Sequence, residues 1–70
     1  MKAGVPDLLI FTPNKKYNGL AIELKIGYNK PTDSQKKWLS DLKKCNWYTC
    51  VEKDFDIAVK LINQYFSNDL

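Results

Sequence analysis

Three residues of this chain have the types and the spacing to do chemistry together. Asp7 opens an apolar run directly behind Gly4-Val5-Pro6, and Glu23 and Lys25 belong to Glu23-Leu24-Lys25 inside a second run, residues 20–26. Side chains alternate faces along an extended strand, so Glu23 and Lys25 point one way while Ile22, Leu24 and Ile26 point the other. If the segment carrying Asp7 lies beside this strand, two carboxylates and an ammonium share one pocket. Such a set suits the holding of a divalent cation and a water for phosphodiester hydrolysis. Each residue also has a plainer reading. Asp7 serves equally as the turn-favouring residue after a proline, and Glu23 with Lys25 as a solvent-facing pair on a half-exposed strand. Ala21 argues for the pocket, because it lies on the face of Glu23 and is small enough to leave room for a phosphate.

The elements that must position these residues follow from the surrounding pattern. Residues 7–11 form a strand with no polar residue after the first, which predicts burial on both faces. Thr12-Pro13-Asn14 and Tyr17-Asn18-Gly19 are turn chemistry around Lys15 and Lys16, and Asn-Gly favours positive φ, so a hairpin connects this strand to residues 20–26. Antiparallel pairing then sets Asp7 opposite the part of the second strand that carries Glu23 and Lys25. Residues 27–31 are a loop. Thr32 followed three residues later by Gln35 matches a capping box, and a helix over 33–44 puts Gln35, Trp38, Leu39 and Leu42 on one face. Asn46 suits the left-handed residue that ends this helix, and residues 47–51, rich in aromatic and β-branched types, suit a third strand. Asp54 caps a last helix with an apolar stripe of Phe55, Ala58, Val59, Ile62, Tyr65 and Phe66. The order is ββαβα, an α/β chain forming one domain over 1–70, with no linker, repeat or low-complexity segment.

Composition limits what such a chain does. Seventy residues bury only roughly 60% of their unfolded surface, so a monomer is marginal and help from a partner is expected. A hydrophobic fraction of 44% is too high for a disordered tail. No apolar run approaches the roughly 20 residues that cross a bilayer, and the opening Met1-Lys2-Ala3-Gly4 lacks the stretch of a signal peptide. A cytoplasmic location without membrane contact is expected. Histidine is absent, and Cys45 and Cys50 form no Cys-x-x-Cys, so a zinc site and a disulfide framework are not indicated and both cysteines are expected as free, partly buried thiols. The net charge is +3 with every basic residue a lysine, which favours point-charge contacts to a phosphate backbone over base reading. Lys15-Lys16 and Lys43-Lys44 read as solvated surface. Lys30, Lys36 and Lys37 follow closely on the Glu-x-Lys strand and are the candidates for holding nucleic acid. Tyr17 and Tyr28 read as covers for core edges, and Trp38 and Trp47 as core or interface.

Gly4-Val5-Pro6-Asp7, then Glu23-Leu24-Lys25, then a helix opening Thr32-Asp33-Ser34-Gln35 and continuing through Trp38-Leu39 and Leu42, resembles the virus-type replication–repair nuclease (VRR-NUC) family of the PD-(D/E)XK superfamily. The resemblance covers residues 4–66. It implies a minimal restriction-endonuclease-like core in which Asp7, Glu23 and the backbone carbonyl of Leu24 hold one or two Mg²⁺ or Mn²⁺ ions, and Lys25 positions the attacking water. Gln35 stands where the family carries a glutamine near the metal, a role that competes with the capping box for the same amide. The implied activity is endonucleolytic cleavage of DNA to a 5′-phosphate and a 3′-hydroxyl, with a preference for branched or Holliday-junction DNA in phage or mobile-element repair. Members usually carry an N-terminal helix, commonly with a further Glu, and a first strand before the Gly-x-Pro-Asp segment, whereas six residues precede Asp7 here. That difference implies an apolar strand with an open edge, a homodimer to cover it with interface positions among Trp47, Tyr48, Phe55, Tyr65 and Phe66, and weakened activity. The rival readings are a DNA-binding module that keeps the nuclease scaffold without turnover, and a protein-interaction domain.

Overall fold

The computed structural model describes residues 5–25 and 32–70. Leu8–Ile10 (β1) and Leu20–Leu24 (β2) pair antiparallel with Leu8 opposite Ile22 and Ile10 opposite Leu20. The hairpin predicted from the turn residues is present, but β1 is shorter than residues 7–11. Pro6 has no N–H to give, and the side chain of Asp7 takes the N–H of Leu24 at 2.8 Å where a ladder carbonyl would otherwise serve. The expected two-sided burial of this strand is also corrected. β1 is the sheet edge and its three residues are half-buried, while Phe11 beyond it is 72% exposed. Two-sided burial belongs instead to the central strand, where Leu20, Ala21, Ile22 and Glu23 are all buried.

β2 also pairs on its other side with Tyr48–Glu52 (β3), in parallel, Leu20 beside Tyr48 and Leu24 beside Glu52. The Lys25 N–H extends that ladder by one bond, to the Glu52 carbonyl at 2.9 Å. Residue 26, predicted as the end of β2, and the loop 27–31 with Tyr28 and Lys30 lie outside the described residues. A parallel pair needs a crossover, here the helix Asp33–Lys44 (α1). Its start is the predicted capping box: Gln35 N–H donates to Thr32 Oγ1 at 3.2 Å, and Thr32 N–H donates to Gln35 Oε1 at 2.9 Å. Its end is the predicted Asn46, at φ 64°, with Asn46 N–H donating to the Lys43 carbonyl and Trp47 N–H to the Leu42 carbonyl. These two bonds are the Schellman pattern. The third strand begins one residue later than predicted because Trp47 still serves this helix end.

Alternation along β2 divides the molecule. Leu20 and Ile22 face the helix Phe55–Phe66 (α2) and form the core with Ala58 and Tyr65. Tyr65 is fully buried, and its hydroxyl donates to the Thr12 carbonyl at 2.8 Å. Of the five residues among which interface positions are expected, Tyr65 is thus a core residue. The helix turns Ala58, Leu61, Ile62 and Tyr65 toward the sheet, while Phe55, Val59 and Phe66 of the predicted stripe remain exposed. Asp54 caps this helix as predicted, accepting from the N–H groups of Asp56 and Ile57. Tyr17 covers a core edge and meets Tyr48 edge-on, 5.3 Å between ring centroids. Cys50 packs half-buried against the core, whereas Cys45 is exposed at the end of α1, and both are free thiols.

Ala21 and Glu23 take the opposite face, toward α1, where Leu39 is buried. Trp38 and Trp47 are half-buried. The Trp47 ring lies on the backbone of Gly19 and meets Phe11 edge-on at 5.4 Å. A Cβ on residue 19 would stand 2.6 Å from three indole carbons, so only glycine fits there.

Candidate active site

The β1–β2 register, continued by one residue past Leu8 and Ile22, sets Asp7 opposite Glu23. Asp7 is exposed, and its Oδ2 accepts the Leu24 N–H at 2.8 Å. The N–H and carbonyl of a strand residue face the same neighbour, so the Leu24 carbonyl opens on the side where Asp7 lies. Glu23 is only 1% exposed. Its Oε1 accepts from Gln35 Nε2 at 2.9 Å and has the Lys25 ammonium at 3.7 Å. Its Oε2 is buried with no hydrogen-bond partner.

Burial pushes the Glu23 carboxyl above its ordinary value, the neighbouring Asp7 carboxylate adds to the rise, and Lys25 opposes it. A buried carboxylate oxygen with nothing to accept from is costly in a low-dielectric interior. A cation beside it would remove that cost. The donors available there are hard oxygens: two carboxylates and the Leu24 carbonyl. Among the described residues no group of three or more His, Cys, Asp or Glu could hold a metal ion; two carboxylates and a carbonyl are a donor set of the kind that Mg²⁺ or Mn²⁺ takes while keeping several waters.

Asp7, Glu23, Lys25 and Gln35 are therefore brought to one end of the sheet. The expected competition for the Gln35 amide does not arise, because the two roles use opposite ends of it: the oxygen completes the capping box and the nitrogen reaches Glu23. Lys36 and Lys37 are exposed on the first turns of the same helix, and Lys30 is outside the described residues. Thr32 was read from the sequence as a helix cap only, yet it is one hydrogen bond from the residue that holds Glu23. The capping box carried that signal, since the residue that closes it is the one that reaches the strand.

A sheet of this order, with its carboxylates at the free end of a hairpin and a crossover helix leaning over them, is a nuclease-type fold. The chain belongs to the VRR-NUC domain family, whose sequence profile matches residues 1–58. A solved structure described as a "VRR_NUC domain protein" superposes with a TM-score of 0.84 at 37% identity, covering 96% of this chain and 56% of that one. The present chain thus spans little more than half the length of that relative. Among curated proteins nothing matches it. Nucleases of this family generally depend on divalent metal, and their substrate is DNA. Among the described residues no helix is long and apolar enough to cross a membrane.

Proposed function

We propose that this protein is a Mg²⁺- or Mn²⁺-dependent DNA endonuclease selective for branched DNA, Holliday junctions included, acting as a homodimer in the cytoplasm of a phage-bearing host. The observation that carries the reading is the buried Glu23 carboxylate, with one oxygen held by Gln35 and Lys25 and the other unpartnered beside Asp7. Asp7, Glu23 and the Leu24 carbonyl are the ligands. Bound there, the cation would supply Lewis-acid stabilisation of charge developing on the phosphate. Lys25, whose side chain is 16% exposed, directs its ammonium toward Glu23 and keeps enough access to orient a water and favour its deprotonated form. Lys36 and Lys37, on the helix that holds Gln35, hold the DNA backbone together with Lys30 of the sequence, through contacts that weaken as salt rises.

The dimer reading is supported by an apolar cleft of about 200 Å³ beside Asp7, between Leu8, Ile22 and Leu24 of the sheet and Phe55, Val59 and Ile62 of α2. Leu8 brings β1, the edge strand of the sheet, to one side of it. A two-fold pairing over this region covers Phe55 and Val59 and holds two sites in a fixed relation, which suits paired nicks in a symmetric junction.

Labelled four-way junction, flap, duplex and single-stranded DNA, incubated with Mg²⁺, Mn²⁺ or EDTA, tests the activity. Cleavage of branched DNA that disappears with EDTA, with Glu23→Ala and with Lys25→Ala is expected. Cleavage that persists in those variants overturns the assignment, and salt-sensitive binding without cleavage at any metal concentration favours a DNA-binding module.

A further inference from the structure

We infer that Thr32 is a positioning residue for Glu23, acting through the side chain of Gln35. The contacts run in a short series. Thr32 Oγ1 accepts the Gln35 N–H at 3.2 Å, Thr32 N–H donates to Gln35 Oε1 at 2.9 Å, and Gln35 Nε2 donates to Glu23 Oε1 at 2.9 Å. A glutamine amide has an acceptor end and a donor end. The N–H of Thr32 requires the acceptor and the carboxylate of Glu23 requires the donor, so a single orientation of the Gln35 amide satisfies both.

The capping box would form for reasons of its own, because it satisfies two backbone N–H groups at the start of α1. Folding of the helix therefore removes the rotamer freedom of Gln35 before any ligand arrives. Glu23 meets an amide already aimed at it. With Oε1 held by Gln35 and by Lys25 at 3.7 Å, the carboxylate is kept from turning, and Oε2 stays the buried, unpartnered atom. Thr32 touches neither Glu23 nor any substrate position, and its hydroxyl acts only by fixing the cap geometry that points the Thr32 N–H at Gln35. Outer partners of metal ligands act in this way, by fixing orientation. The consequence for metal rests on the nuclease reading above, but the orientation of Glu23 does not.

Two measurements on the whole chain test this. The first is the NMR signal of the Gln35 side-chain NH₂ without metal. Slowed exchange and a downfield shift are expected in the wild type and in Thr32→Ser, and their loss in Thr32→Ala and in Thr32→Gly, the latter retained because glycine is itself a tolerated cap and keeps α1 folded. An unchanged signal in Thr32→Gly overturns the inference. The second is Mn²⁺ affinity by calorimetry. Gln35→Ala is expected to weaken it about 10- to 100-fold and Thr32→Gly by a smaller factor, about 3- to 10-fold. Thr32→Gly is expected to add nothing in the Gln35→Ala background, and Thr32→Ser to restore the wild-type value. Equal weakening by Thr32→Gly in both backgrounds means a general effect on the helix and also overturns it. Wild-type protein that binds no Mn²⁺ removes the nuclease reading instead, and the NMR signal then decides the role of Thr32 alone.

Discussion

Glu23 carries the tension of the site, because a carboxylate this buried is stable as an anion only while its neighbours compensate it. Gln35 and Lys25 compensate one oxygen and leave the other without a partner. Its proton affinity is raised in the folded protein above the ordinary value of 4.5. In the window from that value up to the raised one, the folded state binds more protons than the unfolded state, so stability falls as pH rises and levels off above the window. Metal-free protein is therefore expected to melt at progressively lower temperature as pH is raised from about 4.5, and Glu23→Gln to flatten that part of the profile. A wild-type melting curve that rises across the window would contradict the assignment. The same substitution is expected to reduce cleavage by more than the roughly 100-fold typical of losing an outer partner, since it removes a ligand charge. Single-turnover kinetics at saturating Mn²⁺ measure this.

At the scale of elements, the short-range motifs were legible and the long-range ones less so. Thr32 with Gln35, Asn46 and Asp54 marked helix ends correctly because each satisfies backbone groups within four residues of itself, a requirement independent of the rest of the fold. The meeting of Asp7 with Glu23 followed from the hairpin turn. What could not be read was which apolar surface covers which. Residues 7–11 are as apolar as a central strand yet form an edge, and the buried position goes to residues 20–23 because β3 returns beside them and not beside β1. Periodicity marked Tyr65 as part of an apolar stripe without saying whether a sheet or a partner covers it. Two substitutions examine these contacts. Tyr65→Phe leaves the Thr12 carbonyl without its donor and is expected to cost about 1 kcal/mol in urea unfolding. Gly19→Ala drives a methyl to within 2.6 Å of the Trp47 ring. It is expected to cost about 1–3 kcal/mol and to shift indole fluorescence, whereas an unshifted spectrum would mean the ring does not lie there.

Across the whole molecule, exposed Phe55, Val59 and Phe66 leave one side of α2 apolar, and Phe55 and Val59 line a cleft with Leu8 of β1. Light scattering at micromolar concentration is expected to give twice the chain mass, and Phe55→Lys to halve it; a wild-type monomer at that concentration would remove the dimer and the geometric case for junctions. The hairpin has a further property with consequences for folding. Leu8-Leu9-Ile10 is apolar on both of its faces, so β1 carries no preference of its own for one alignment with β2 over another shifted by a residue. Such a shift would exchange the faces of β1 alone, because β2 is held by five residues of parallel pairing with β3. It would carry the Asp7 side chain to the face away from Glu23 and take its carboxylate from the Leu24 N–H. The same carboxylate that completes the candidate site therefore also registers the hairpin. In an Asp7→Ala chain that discrimination weakens, and duplicate amide signals from Leu8–Ile10 would reveal a strand that has lost a guide to correct alignment.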